Sequence, residues 1–308
     1  ITIVATMTPR GGTAGSAVLA SCGPSEYTAN FTDAPYSNTW YCDALAEAVS
    51  GTDPHPDTEE IHVDFNSDVD NSTVLGDVDF YYGTDGNPGT DIDFVTVTIH
   101  EMGHGLGYIS SIQSNGRWGW WAEDDFYPTI YDRFITRGDG IKLIDLSMTD
   151  VVNSVTGGDA FWNGLVGKYS CNHEFSSALT RVPLFAPNPW DDGSSVSHID
   201  EATFSDGAYE LMTPESDNVI HTPDSIVLGM LQDMGWSLSK SRYVNDNATG
   251  AEDGSSFNPF NTLAEGLSNV PDSGYVRFYP GSYGTTTITG RNLHLRSCGG
   301  SAVLGAIK

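Results

Sequence analysis

His100-Glu101-Met102-Gly103-His104 gathers two imidazoles and a carboxylate within five residues. On a helix, residues four apart share one face, one turn above each other. Both rings can then reach one zinc ion at ~2.0–2.1 Å. Glu101 stands beside that ion, where it can take a proton from water whose pKa the metal lowers toward ~7. Gly105 and Gly107 follow at once, and a glycine there lets the chain turn sharply after the second ligand. A catalytic zinc takes three protein ligands, and the third is not local: position 110 is Ser110, which does not ligate zinc.

The best replacement is His198, in Ser195-Val196-Ser197-His198-Ile199-Asp200-Glu201, with Met212 following fourteen residues later in Glu210-Leu211-Met212-Thr213-Pro214. Glu123 is the rival, nineteen residues after His104 in a segment that can be helical, a spacing known from thermolysin-like sites. Early termination of the first helix at Gly105 and Gly107 favours His198. Among the other histidines, His55, His62 and His294 read as surface or packing residues. His173, two residues from Cys171, reads as a neighbour of a bridge, and His221 as a residue at the mouth of the last helix before residue 236.

The elements that must position these groups follow from periodicity. Asp91 or Asp93 caps a helix over 91–107, with Phe94, Val97 and Leu106 as its apolar contacts. Its β-branched run Val95–Ile99 suits a strand by propensity, but the two histidines require a helix. Strands are expected over 1–7, 60–66 and Val78–Gly83, and a helix over 38–50 ending at Gly51. Residues 8–35, rich in Gly, Pro, Ser and Thr, read as loop. Residues 108–193 carry many aromatics and read as a folded insertion rather than a linker. A helix is expected over 223–236, with Pro223 in its first turn and Ile226, Leu228, Met230 and Leu231 on an apolar face. Beyond residue 240 the chain turns Gly- and Asn-rich, with a short helix at Leu263–Leu267 and strands at 275–279, 285–289 and 292–296.

The 308 residues are 39% hydrophobic, enough for an ordinary core, and no run is long enough to span a membrane. The chain opens on Ile1 rather than Met, which reads as a processed start. Forty-one acidic residues against 13 basic give a net charge of −28. That field repels nucleic acid and anionic membranes, so neither is expected as a partner. The crowded Asp68, Asp70, Asp77, Asp79, Asp85, Asp91 and Asp93 are compatible with a structural Ca2+, but they do not fit the EF-hand spacing, and a solvated acidic surface is the plainer reading. Cys22, Cys42, Cys171 and Cys298 form no CxxC pair and point to an oxidising compartment, with Cys22–Cys42 the preferred bridge.

Taken with the blocks Tyr131–Phe134 (YDRF), GSSVSHIDE at 193–201, ELMTP at 210–214 and LQDMGW at 231–236, the HEMGHGLGY run resembles metzincin zinc peptidases. The resemblance is to the leishmanolysin-like layout and to bacterial secreted HExxHGLG metallopeptidases, with a long insertion before the third histidine. It covers roughly residues 1–236. It implies an α+β fold: a twisted mixed sheet, an active-site helix and a C-terminal helix. The domain would span 1–238 with an insertion at about 111–192. Residues 239–308 resemble the start of a parallel β-helix. It further implies His100, His104 and His198 as zinc ligands, Glu101 as general base and then acid, and Met212 as the floor beneath the metal. Residues 213–218 would line the S1′ side, and Val78–Gly83 would pair with the substrate. The function implied is a secreted, extracellular, monomeric zinc endopeptidase acting on peptides or proteins. The alternative is a latent or non-catalytic protein that keeps the zinc site and binds a surface or carbohydrate through its C-terminal segment.

Overall fold

Alternating apolar residues at Ile61, Val63 and Phe65 make strand β5 (Ile61–Asn66) the centre of the sheet that carries the site. The computed structural model describes residues 1–119, 126–205, 207–215, 218–237, 240–298 and 301–305. Strand β1 (Ile3–Thr8) pairs parallel with β5, from Ile3 with Ile61 to Thr8 with Asn66. Strand β2 (Ala20–Pro24) pairs antiparallel on the other side, so the order is β1-β5-β2 and β2 is an edge. Ala20, Val63 and Phe65 turn one face of this sheet onto Phe94, Val97 and Met102 of helix α2 (Phe94–Gly105). Each large apolar side chain buried this way contributes roughly 1.5–3 kcal/mol.

Helix α2 starts where Asp93 accepts the Thr96 N–H at 2.9 Å. It ends before Gly107, whose φ of 91° lies in the left-handed region. The β-branched residues thus adopt helix because cap and burial outweigh their propensity. Gly105 is required for packing: a Cβ there would sit 2.5 Å from Ile61 Cγ2.

Around this core lie β3 (Tyr27–Ala29) paired with β4 (Trp40–Cys42), helix α1 (Asp43–Ser50), and β6 (Phe80–Tyr81) paired parallel with β7 (Ile92–Asp93). The expected loop over 8–35 therefore holds two strands, and the helix expected over 38–50 begins later, after β4. It does end at Gly51, with φ 69°. The insertion supplies β8 (Ile135–Thr136) and β9 (Phe161–Trp162), paired antiparallel, and helix α3 (Met148–Val155). Helix α5 (Glu201–Phe204) follows the third histidine.

The chain divides into two compact units, residues 1–162 with 183–227, and residues 163–182 with 228–308. It re-enters the first through the short strand β10 (Val182–Pro183) and leaves it within helix α6 (Ser225–Met234). The boundary read at 238/239 lies outside the described residues. In the second unit α4 (Leu165–Ser170) from the insertion is tied to α6: Asp233 accepts the N–H groups of Val166 and Gly167 at 2.8 and 2.9 Å. The same unit holds the parallel ladder β11 (Ser241–Val244), β12 (Gly274–Phe278) and β14 (Leu293–Ser297), and the parallel pair β13 (Gly281–Ser282) with β15 (Ala302–Val303). Helix α7 (Leu263–Asn269), with a Thr262/Glu265 capping box, completes a core of Val244, Leu263, Val270, Val276, Phe278 and Tyr283. The strand expected at 285–289 does not form; β13 precedes it instead. Among the described residues the fold is mixed α and β, with seven α-helices and several small sheets, and no helix is long and apolar enough to cross a membrane.

Candidate metal centre

Helix α2 places His100 and His104 one turn apart, and the loop 194–198 brings His198 to them. The three Nε2 atoms are mutually 3.2 Å apart. Each Nδ1 faces a backbone carbonyl: His100 to Leu211 at 2.7 Å, His104 to Tyr108 at 2.7 Å, His198 to Ser194 at 2.9 Å. A carbonyl only accepts, so each Nδ1 carries the proton and each Nε2 presents a lone pair. Three lone pairs thus converge on one point with no proton to share among them. A shared cation resolves this arrangement, and the triangle admits an ion at the ~2.0–2.1 Å of a zinc–imidazole bond. The carbonyl partners of Nδ1 are the outer contacts that metal-ligating histidines require. Among the described residues this is the only group of three or more His, Cys, Asp or Glu side chains close enough to hold a metal.

Burial and proximity keep the histidines neutral. His104 is pushed down to about 3, first by burial and then by His100, and burial also lowers His100 and His198. Glu101 is buried on the same helix and its carboxyl is pushed up to about 7 by that burial, against the pull of Arg10. Arg10 is itself held by the Asp64 carboxylate at 3.5 Å and by the Ser21 hydroxyl.

Met212 lies beneath the helix: its sulfur is 2.8 Å from where a Cβ on Gly103 would stand. Its turn is closed by the Thr213 N–H donating to Glu210 at 3.1 Å. The Met212 carbonyl accepts the Ile199 N–H at 2.9 Å, beside the third histidine, while Leu211 holds the first. The structure therefore brings His100, Glu101, His104, His198 and Met212 together. Glu123 lies outside the described residues, as do 216 and 217 of the expected S1′ segment. Val78–Gly83 contributes only β6, whose Phe80 N–H is taken by Asp70 at 2.9 Å. The strand beside α2 is instead β2.

His221 donates its Nε2–H to the Asp93 carboxylate at 2.8 Å, joining the cap of α2. His173 packs in a tilted pair against Tyr169, and His294 stacks on Tyr275. Burial is the chief cause that pushes the thiol pKa values of Cys22 and Cys42 up to about 12. Their sulfurs contact the end of α2, Cys22 at Gly105 and Cys42 at Gly107. The acidic run is dispersed in local bonds: Asp68 accepts from Gly11, Asp70 from Phe80 and Tyr82, and Asp85 from Tyr81. Sequence reasoning missed Asp132, which is buried, and the only signal for it was the YDRF block.

No protein family, no curated protein and no solved structure matches the chain.

Proposed function

We propose that the chain is a zinc-dependent endopeptidase of the metzincin type, secreted and acting on extended peptides. The observation that carries the metal reading is the convergence of three protonless Nε2 atoms, each ring fixed by a carbonyl at Nδ1. His100, His104 and His198 hold the ion. Zinc bound there supplies Lewis acidity toward a carbonyl oxygen and acidifies water. Glu101, adjacent to the first ligand, takes the proton of the attacking water and passes it to the leaving amine. Met212 keeps the underside of the site apolar. We assign pairing with the substrate backbone to β2, because it is the sheet edge that packs along α2.

The test is metal analysis of the purified chain, followed by cleavage of a diverse peptide library by the parent and by Glu101→Ala. Expected are one zinc per chain in both, and a rate lowered by roughly 10²–10⁴-fold in the variant, the usual contribution of a general base. Zinc retained with no peptide cut by the parent would overturn the endopeptidase reading.

A further inference from the structure

We propose that Tyr131 and Asp132 are positioning residues for the metal centre, fixing the loop of its third ligand against the exit of the helix that bears the first two. This rests on the reading of His100, His104 and His198 as a zinc site.

His198 is far from His104 in sequence and sits on a loop, so tertiary contacts must hold it. Within that loop Val196 has φ 55°, and it is fully buried. A β-branched residue in the left-handed region is strained and persists only where its surroundings over-determine it. Two bonds do so: its N–H donates to Phe185 at 2.7 Å, and its carbonyl accepts the Tyr131 hydroxyl at 3.0 Å. One residue on, the Ser197 hydroxyl accepts the Ser110 N–H at 3.1 Å.

Ser110 is in turn held by Asp132. The Ser110 hydroxyl donates to Oδ1 at 2.7 Å; the Ser111 and Thr129 hydroxyls donate to Oδ2 at 2.6 and 2.9 Å, and the Thr129 N–H at 2.9 Å. Asp132 has no exposed surface; burial pushes its carboxyl above the ordinary value, and the bonds from Ser111, Ser110 and Thr129 oppose that rise. The stretch they fix, 108–111, touches the second and third ligands: the Tyr108 carbonyl accepts the Nδ1–H of His104, and the Ser110 amide reaches Ser197 beside His198. Tyr131 and Asp132 are consecutive, so one rigid turn sets the second ligand's orientation and the third ligand's position together. Outer contacts of this kind, when removed, cost about 10–100-fold in metal affinity.

The full chain, Tyr131→Phe, Ser197→Ala and Asp132→Asn are compared by zinc competition against a chromophoric chelator and by the visible spectrum of the cobalt(II)-loaded protein. Tyr283→Phe is the control, a buried hydroxyl bonded to the carbonyls of Val244 and Tyr279 in the second unit. Tyr131→Phe and Ser197→Ala should each weaken zinc binding about tenfold or more and shift the cobalt bands; Tyr283→Phe should stay within about twofold of the parent. A merely structural role would lower the melting midpoint of the metal-free protein and leave zinc affinity and cobalt spectrum at parental values, and that result overturns the proposal. Should Asp132→Asn fail to fold, the two milder variants decide. Cleavage plays no part in the readout: a parent that binds zinc and cuts nothing removes the endopeptidase reading alone, whereas one that binds no zinc removes both.

Discussion

Glu101 is a carboxyl whose folded environment favours the proton. Its ordinary value of 4.5 rises to about 7 in the metal-free chain. Between those values the folded chain holds a proton that the unfolded chain has released, so this group lowers stability as pH rises, fully so above about 7. The gap corresponds to roughly 3 kcal/mol. The three histidines act oppositely: their folded values lie below 6.5, and burial of the neutral rings costs stability as pH falls below that value. In the metal-free protein, Glu101→Gln should therefore be more stable than the parent by up to ~3 kcal/mol at pH 8, and the difference should vanish near pH 4.5. Chemical denaturation in chelator at both pH values measures this. A gain of equal size at both would place the effect in packing rather than in the proton.

At the scale of elements, α2 depends on its cap. Asp93 accepts the N–H and hydroxyl of Thr96 at 2.9 and 2.8 Å and pairs with His221. Burial works to raise its pKa, but the bonds from Thr96 and His221 outweigh it and hold the carboxyl below its ordinary value. Its stabilising part is thus present above the unfolded value of about 3.8 and lost as pH falls through the lower folded one. Asp93→Ala should cost about 1–2 kcal/mol at pH 7, and Asp93→Asn, which keeps an oxygen for the cap, markedly less. Thermal unfolding of the two checks it; equal damage would shift the weight to the His221 pair. The helix itself was legible, because two histidines four apart demand one despite the β-branched run. His198 and Met212 were legible from their neighbours in sequence. Strands β2 and β3 were not: Ala20-Ser21-Cys22-Gly23-Pro24 has small side chains and no alternation, and becomes a strand only because β5 offers an edge and α2, through Gly105, packs closely beneath. Nor could the sequence mark Asp132, since two of its donors, Ser110 and Ser111, lie 22 and 21 residues away.

Over the whole molecule the charge is divided unequally. Residues 163–182 and 228–308 hold 8 of the 13 basic and 7 of the 41 acidic residues, so the unit bearing the three clustered histidines carries 34 acidic against 5 basic. A field of that sign raises the local concentration of cations and slows the approach of anions, with effects on association of about 10–10³-fold at low salt. Added salt shortens its reach to about 10 Å at 0.1 M and about 3 Å at 1 M. Two peptides with one cleavable core, flanked by lysines in one case and by glutamates in the other, separate this field from the contacts at the centre. Between about 0.02 and 0.5 M sodium chloride, kcat/KM for the lysine peptide should fall by about tenfold or more, and that for the glutamate peptide should rise. The kcat values should move little, because the field acts on encounter and the buried Glu101 is screened weakly by salt. Parallel salt responses for the two peptides would mean that the acidic surface serves solubility alone and takes no part in choosing substrates.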